Sequence, residues 1–114
     1  MKAFKTSFNK DNSFIAEPGY IIDNYITAND GLGYSLVRTH LNGRHPLMKN
    51  TSSHRTYYFI FGSAKFYVGK EVFELTSGEM MTIPKNTKYS FEGNFEALLL
   101  SVPAFNPAED IIYK

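Results

Sequence analysis

Three histidines, His40, His45 and His54, are the natural starting point for chemistry in this chain of 114 residues, because it contains no cysteine. That absence removes disulfides, thiolate metal centres and cysteine nucleophiles together. A transition metal needs several imidazole, thiolate or carboxylate donors converging on one point. The spacing offers no such convergence. His54 adjoins Arg55, so on a strand the two point to opposite faces. His45 lies in the loop-like stretch Asn42-Gly-Arg-His-Pro46, and His40 stands alone, with no His-x-His pair and no carboxylate at ligand spacing. No metal and no other cofactor is therefore expected. Arg38 and His40 share one face of an alternating segment with Tyr34 and Leu36. They either line a pocket or form the wet outer face of an edge strand. Tyr57, Phe59 and Phe61 alternate with Tyr58 and Ile60, a stripe that reads as core. Tyr57 is the exception, since a buried phenol must find a partner for its hydroxyl.

The elements that must position these groups read as short strands closed by turns. Tyr20 to Thr27 is rich in β-formers and is followed by Ala28-Asn-Asp-Gly31, a turn sequence. Gly33 to Leu41 alternates until Asn42-Gly43 breaks it, and Arg55 to Phe61 runs continuously to Gly62. Gly69-Lys70 between Lys65–Val68 and Glu71–Leu75 signals a tight hairpin. Met80 to Ile83, Tyr89 to Glu92 and Phe95 to Val102 complete the set, and Pro103 and Pro107 are expected to halt any further strand. No segment carries the three- and four-residue apolar spacing of a helix. Many short strands at regular spacing predict an all-β sandwich or barrel, closed so that few edges stay exposed.

Composition agrees. Hydrophobic residues make up 43% and charged residues 20%, with ten Phe, eight Tyr and no Trp. Those proportions suit one folded domain, residues 1–114, with an aromatic core. The formal net charge is +1 without a basic run, so nucleic acid is not an expected partner. No apolar run approaches the roughly 20 residues that cross a bilayer, and no signal-peptide core follows Met1. A cytoplasmic protein without membrane association is expected.

Two segments resemble the paired motifs of the cupin superfamily. Gly43 and Gly62 stand at the outer glycines of the first motif, and Gly78-Glu-Met-Met-Thr-Ile-Pro84 matches the start of the second. Fifteen residues separate Gly62 from Gly78, as in that family. The resemblance implies a jelly-roll β-barrel with core motifs at 43–93, and with residues 1–19 and 106–114 as peripheral arm and tail. It also implies where a metal would be held, and there the chain departs from the pattern. The two histidine positions of the first motif hold Lys49 and Thr51, its glutamate position holds Arg55, and the histidine position of the second holds Tyr89. The chain thus resembles small cupins that have lost the metal.

If these four positions face inward as the resemblance implies, they form a polar cluster with two cations at the barrel mouth. Buried cations need anionic partners. Either a small polar or anionic molecule, such as a carbohydrate or organic acid, supplies them, or Arg55 pairs with a structural acid such as Glu92. The expected ligand-binding set is Arg55, Tyr89, Tyr57, His40, Lys49, Thr51 and Arg38. A non-catalytic binding protein is the first functional expectation. The second is a metal-independent sugar epimerase or isomerase, with His40 as base, Tyr89 as acid and Arg55 facing the enolate. A metal-dependent enzyme with a displaced site is the third. The resemblance further implies a homodimer, with Phe14-Ile15 and Ile111-Ile112-Tyr113 as contacts or as closures of the chain's own barrel.

Overall fold

The computed structural model describes all residues, 1–114, and contains eight strands. They are β1 (Ser13–Glu17), β2 (Tyr20–Ile26), β3 (Ser35–Asn50), β4 (His54–Val68), β5 (Glu71–Thr76), β6 (Met80–Ile83), β7 (Tyr89–Val102) and β8 (Asp110–Tyr113). Three single-turn 3-10 segments are the only helical pieces. All pairings are antiparallel, in the order β1-β2-β3-β7-β4-β5, with β6 joined to β4 and β8 to β3. This is the jelly-roll β-barrel expected from the sequence.

Three of the strands are longer than the turn signals suggest. Asn42-Gly43, Gly62 and Gly93-Asn94 do not end strands; each lies inside one, within β3, β4 and β7. The three long strands cross one another there, Gly43 opposite Gly93 and Gly93 opposite Ala64. Glycine is required at 62 and 93 because the backbones of β4 and β7 nearly touch. A Cβ on Gly62 would sit 2.2 Å from the Asn94 carbonyl oxygen, and one on Gly93 would sit 2.3 Å from that of Ser63. The glycines let each strand bend and serve both halves of the barrel. Pro107 likewise fails to end strand structure, because three residues later β8 pairs Asp110–Tyr113 against Leu47–Asn50 of β3.

Side-chain direction in the long strands follows parity, modified by one bulge in β4 and one in β3. In β7 the odd residues Tyr89, Phe91, Phe95, Ala97, Leu99 and Ser101 are all buried. In β4 the register slips between Phe59 and Phe61, so Arg55, Tyr57 and Phe59 point inward before it and Ala64 and Phe66 after it. In β3 the slip lies between His45 and Met48. An extra residue moves every later side chain to the other face. The core is an aromatic stack: Phe66 lies parallel to Phe91 at 4.9 Å and to Tyr89 at 6.2 Å, and Phe59 stacks on Phe95 at 4.6 Å.

Candidate functional site

A cavity of about 510 Å³ opens inside the barrel, within the range of small-molecule sites. β1 contributes Phe14 and Glu17, β2 Tyr20 and Ile22, β3 Val37, His45 and Met48, β4 Arg55 and Tyr57, and β7 Leu99 and Ser101. Phe105 and the tail residues Asp110 and Ile112 complete the wall. Most of the lining is apolar, with a few polar groups converging on it.

Arg55 organises the polar part. Its Nη2 donates to Asp110 Oδ1 at 2.9 Å, its Nη1 donates to the Tyr89 hydroxyl at 3.3 Å, and its guanidinium lies 5.1 Å from the Phe105 ring. Burial opposes the charge, but the oxygens of Tyr89, Tyr57 and Asp110 outweigh it and raise the pKa of Arg55 above its ordinary value. Asn50 Nδ2 donates to the same Asp110 oxygen at 2.8 Å. Beyond Tyr89, its hydroxyl and that of Tyr57 lie 2.7 Å apart. The result is a chain of hydrogen bonds, Arg55 to Tyr89 to Tyr57, that ends at a phenol on the cavity wall. Burial, with Tyr89 beside it, pushes the Tyr57 pKa well above that of a free phenol, so the group stays protonated.

His45 lies on the same wall, buried between Phe91, stacked at 4.7 Å, and the edge of Tyr20 at 5.1 Å. Its Nδ1 lies 2.8 Å from the Pro46 carbonyl oxygen. A carbonyl only accepts, so Nδ1 carries the proton and Nε2 of the neutral ring keeps its lone pair. Burial lowers the His45 pKa, and the charge of Arg55 adds to that, against the Pro46 carbonyl and the carboxylates of Glu17 and Asp110. A neutral base and a protonated phenol thus share one cavity, both packed against Phe91.

The His45 shift has a consequence for stability. Its folded pKa lies below the unfolded value of about 6.5, so between the two the unfolded chain binds the extra proton. Stability is complete above pH 6.5 and falls as pH drops toward the folded pKa, by at most about 1.4 kcal/mol per unit. Melting curves from pH 7.5 to 5.0 are expected to show this loss, and His45→Gln to remove it. An unchanged pH slope in the variant would assign the loss to other groups.

The expected site residues divide. Arg55 and Tyr57 line the cavity, and Tyr89 stands directly behind Tyr57. Lys49 does not face inward as expected, because the β3 bulge turns Met48 and Asn50 into the barrel and Lys49 outward. Thr51 lies past the end of β3, where its hydroxyl donates to Glu109 Oε2 at 2.7 Å. Arg38 and His40 are also outside, because Ser35, Val37, Thr39 and Leu41 take the inward parity. Their strand is central, between β2 and β7, rather than an edge. There Arg38 Nε lies 3.0 Å from Glu96, and His40 Nε2 lies 2.9 Å from the buried Asp23. Burial opposes ionisation of Asp23, but hydrogen bonds from Ser13 and His40 outweigh it and lower its pKa.

His40 and Tyr89 are thus on opposite sides of the barrel wall, which removes His40 as a base working with Tyr89. Glu92 is not the partner of Arg55; it pairs with Arg44 at 2.9 Å and with the Tyr67 hydroxyl. Sequence reasoning also missed His45, Tyr20 and Asp110. Parity carried from Leu41 through Gly43 would have placed His45 inside. Nothing local marks Asp110, whose position depends on pairing between β8 and β3.

A metal at the family's usual position would meet the wrong donors. The charged Arg55 and its partner Tyr89 occupy two of the four positions and point inward, while Lys49 and Thr51 point elsewhere. No group of three histidine, aspartate or glutamate side chains is arranged to hold a metal in their place. No helix is long and apolar enough to cross a membrane.

The sequence matches no protein-family model and no curated protein. Solved structures match along almost the whole chain. Pac13, described as a unique nucleoside dehydratase, superposes with a TM-score of 0.82 at 23% identity, over 97% of this chain and 92% of that one. A tyrosine-to-phenylalanine variant of the Streptomyces protein with uridine gives 0.83 at 24%, over 98% and 93%. Ectoine synthase from P. lautus gives 0.78 at 20% identity, over 93% and 83%. KdgF from Halomonas sp. gives 0.78 at 13% identity, over 94% and 99%. These are cupin-fold proteins, and by fold this chain is a small cupin.

Proposed function

We propose that this protein is a metal-independent cupin that takes a neutral, nucleoside-sized molecule into its barrel and moves protons on it between His45 and Tyr57. The observation that carries the reading is the convergence of a neutral imidazole and an arginine-backed phenol on one largely apolar cavity. Cavity charge favours a neutral ligand over an anionic one. Arg55 is already met by Asp110 at 2.9 Å, and Glu17 by Lys114 at 3.1 Å, so a bound anion would bring an uncompensated charge. The likeness to a nucleoside dehydratase, and to its complex with uridine, supports the ligand class. Dehydration next to a carbonyl needs a base to take the carbon-bound proton and an acid to protonate the departing hydroxyl. His45 Nε2 suits the first role and Tyr57 the second, with no metal taking part. The same reading makes residues 1–114 one cytosolic cupin domain. It is a homodimer in this reading, supported by the exposed outer-face residues Tyr58, Ile60, Leu100 and Val102.

Thermal melting with uridine, ribose 5-phosphate and citrate tests the ligand class. Uridine is expected to raise the melting temperature of chelator-treated protein, and the two anions are not. A stabilisation by citrate or ribose 5-phosphate alone, or one lost on chelation, would overturn the reading. For the proton chemistry, a uridine derivative carrying a sugar carbonyl is incubated in deuterated water. Deuterium is expected to enter the adjacent carbon, and His45→Gln is expected to slow that entry by about 100-fold or more while binding persists.

A further inference from the structure

The tail strand β8 brings to the cavity a carboxylate with one committed oxygen and one spare. Asp110 Oδ1 accepts from Arg55 Nη2 at 2.9 Å and from Asn50 Nδ2 at 2.8 Å. Oδ2 has no partner in the protein, and Asp110 lines the cavity with its side chain 19% exposed. The two bonds to Oδ1 hold the carboxylate rigidly, and Arg55 compensates its charge. An ionised carboxylate oxygen only accepts, so the complementary ligand group is a donor. A cationic donor would upset a cavity in which Arg55 balances Asp110 and Lys114 balances Glu17. A neutral hydroxyl fits both demands.

We infer that Asp110 is a specificity-determining residue whose free oxygen accepts a hydroxyl of the ligand's sugar, so that the cavity selects a ribose over a deoxyribose. The inference rests on the nucleoside reading above and deepens it. Asp110 reads the ligand, whereas His45 and Tyr57 act on it. A charge-assisted hydrogen bond of this kind makes about a 10- to 100-fold difference in affinity.

Calorimetric titration of the full chain with uridine, 2′-deoxyuridine, 3′-deoxyuridine and methyl β-riboside tests this. Wild-type protein is expected to bind at least one deoxynucleoside about 10- to 100-fold more weakly than uridine. Asp110→Asn keeps an oxygen for Arg55 and Asn50 and turns the amide nitrogen to the cavity. It is expected to narrow that gap about tenfold, chiefly by weakening uridine. Equal binding of all three nucleosides by wild type overturns the role of Asp110 and leaves the cavity reading intact. So does an Asp110→Asn variant that weakens every probe by one common factor, the mark of a purely structural counterion. Methyl β-riboside binding as tightly as uridine overturns the nucleoside class but keeps the hydroxyl contact. Absence of binding by all four probes overturns the reading on which the inference rests.

Discussion

Gly62→Ala is expected to lower the unfolding free energy by about 3 kcal/mol or more, and the melting temperature by more than about 10 °C. Two costs add at this position. Gly62 has φ near +88°, where a side chain is strained by about 1–3 kcal/mol. A Cβ there would also stand 2.2 Å from the Asn94 carbonyl oxygen and 2.7 Å from Phe95 Cα, both backbone atoms that cannot swing aside. Relief requires β4 and β7 to separate, and those are the strands that hold the Phe59–Phe66–Phe95 packing. Gly69 is the control. It also has positive φ, near +61°, but a Cβ there meets nothing within 4 Å, so Gly69→Ala is expected to cost only about 1 kcal/mol. Denaturant titration of both variants measures the difference. Similar losses at the two glycines would mean that the strand crossing is looser than described.

Asp110→Ala is expected to destabilise the fold by about 3 kcal/mol, whereas Arg55→Met/Asp110→Ala loses clearly less. In the single variant the buried guanidinium keeps its charge and loses its anion, with no other carboxylate bonded to it. In the double variant no charge is stranded, and methionine fills much of the arginine volume beside Met48 and Phe105. Denaturant midpoints for the wild type, both single variants and the double complete a thermodynamic cycle, with an expected coupling of about 2 kcal/mol. Strict additivity would show that Asp110 and Arg55 stabilise the barrel independently. Uridine titration of Arg55→Met separates stability from function. The variant is expected to fold and to bind more weakly, because the Tyr89 hydroxyl, which is bonded to that of Tyr57, loses the guanidinium donor that holds it in place.

The aromatic composition, the turn-forming glycines and the strand patterns determined an all-β sandwich or barrel without any knowledge of pairing, and the spacing of Gly43, Gly62, Gly78 and Pro84 narrowed it to a cupin-like barrel by resemblance. Period-two patterns are local, and so are turns, which is why Tyr57 and Phe59 were legible as core, while the bulge after Phe59 leaves Phe61 of the same stripe exposed. Arg55 was legible too, through the resemblance, as a cation at an inward-facing motif position that had to find an anionic partner. The tertiary structure alone decided which residues meet. Gly43, Gly62 and Gly93 read locally as ends of strands, and only the tertiary structure shows that they lie inside β3, β4 and β7, with Gly62 and Gly93 where β4 and β7 approach closely. Lys49 faces outward because of a bulge that no local rule announces, and one inserted residue reverses every side chain beyond it. His40 and His45 are alike as residues; strand parity puts one in a surface ion cluster and the other in the cavity. Asp110 completes the site from 55 residues away from Arg55 in sequence. Contacts at that separation depend on the whole sheet closing, and a linear pattern carries no information about closure.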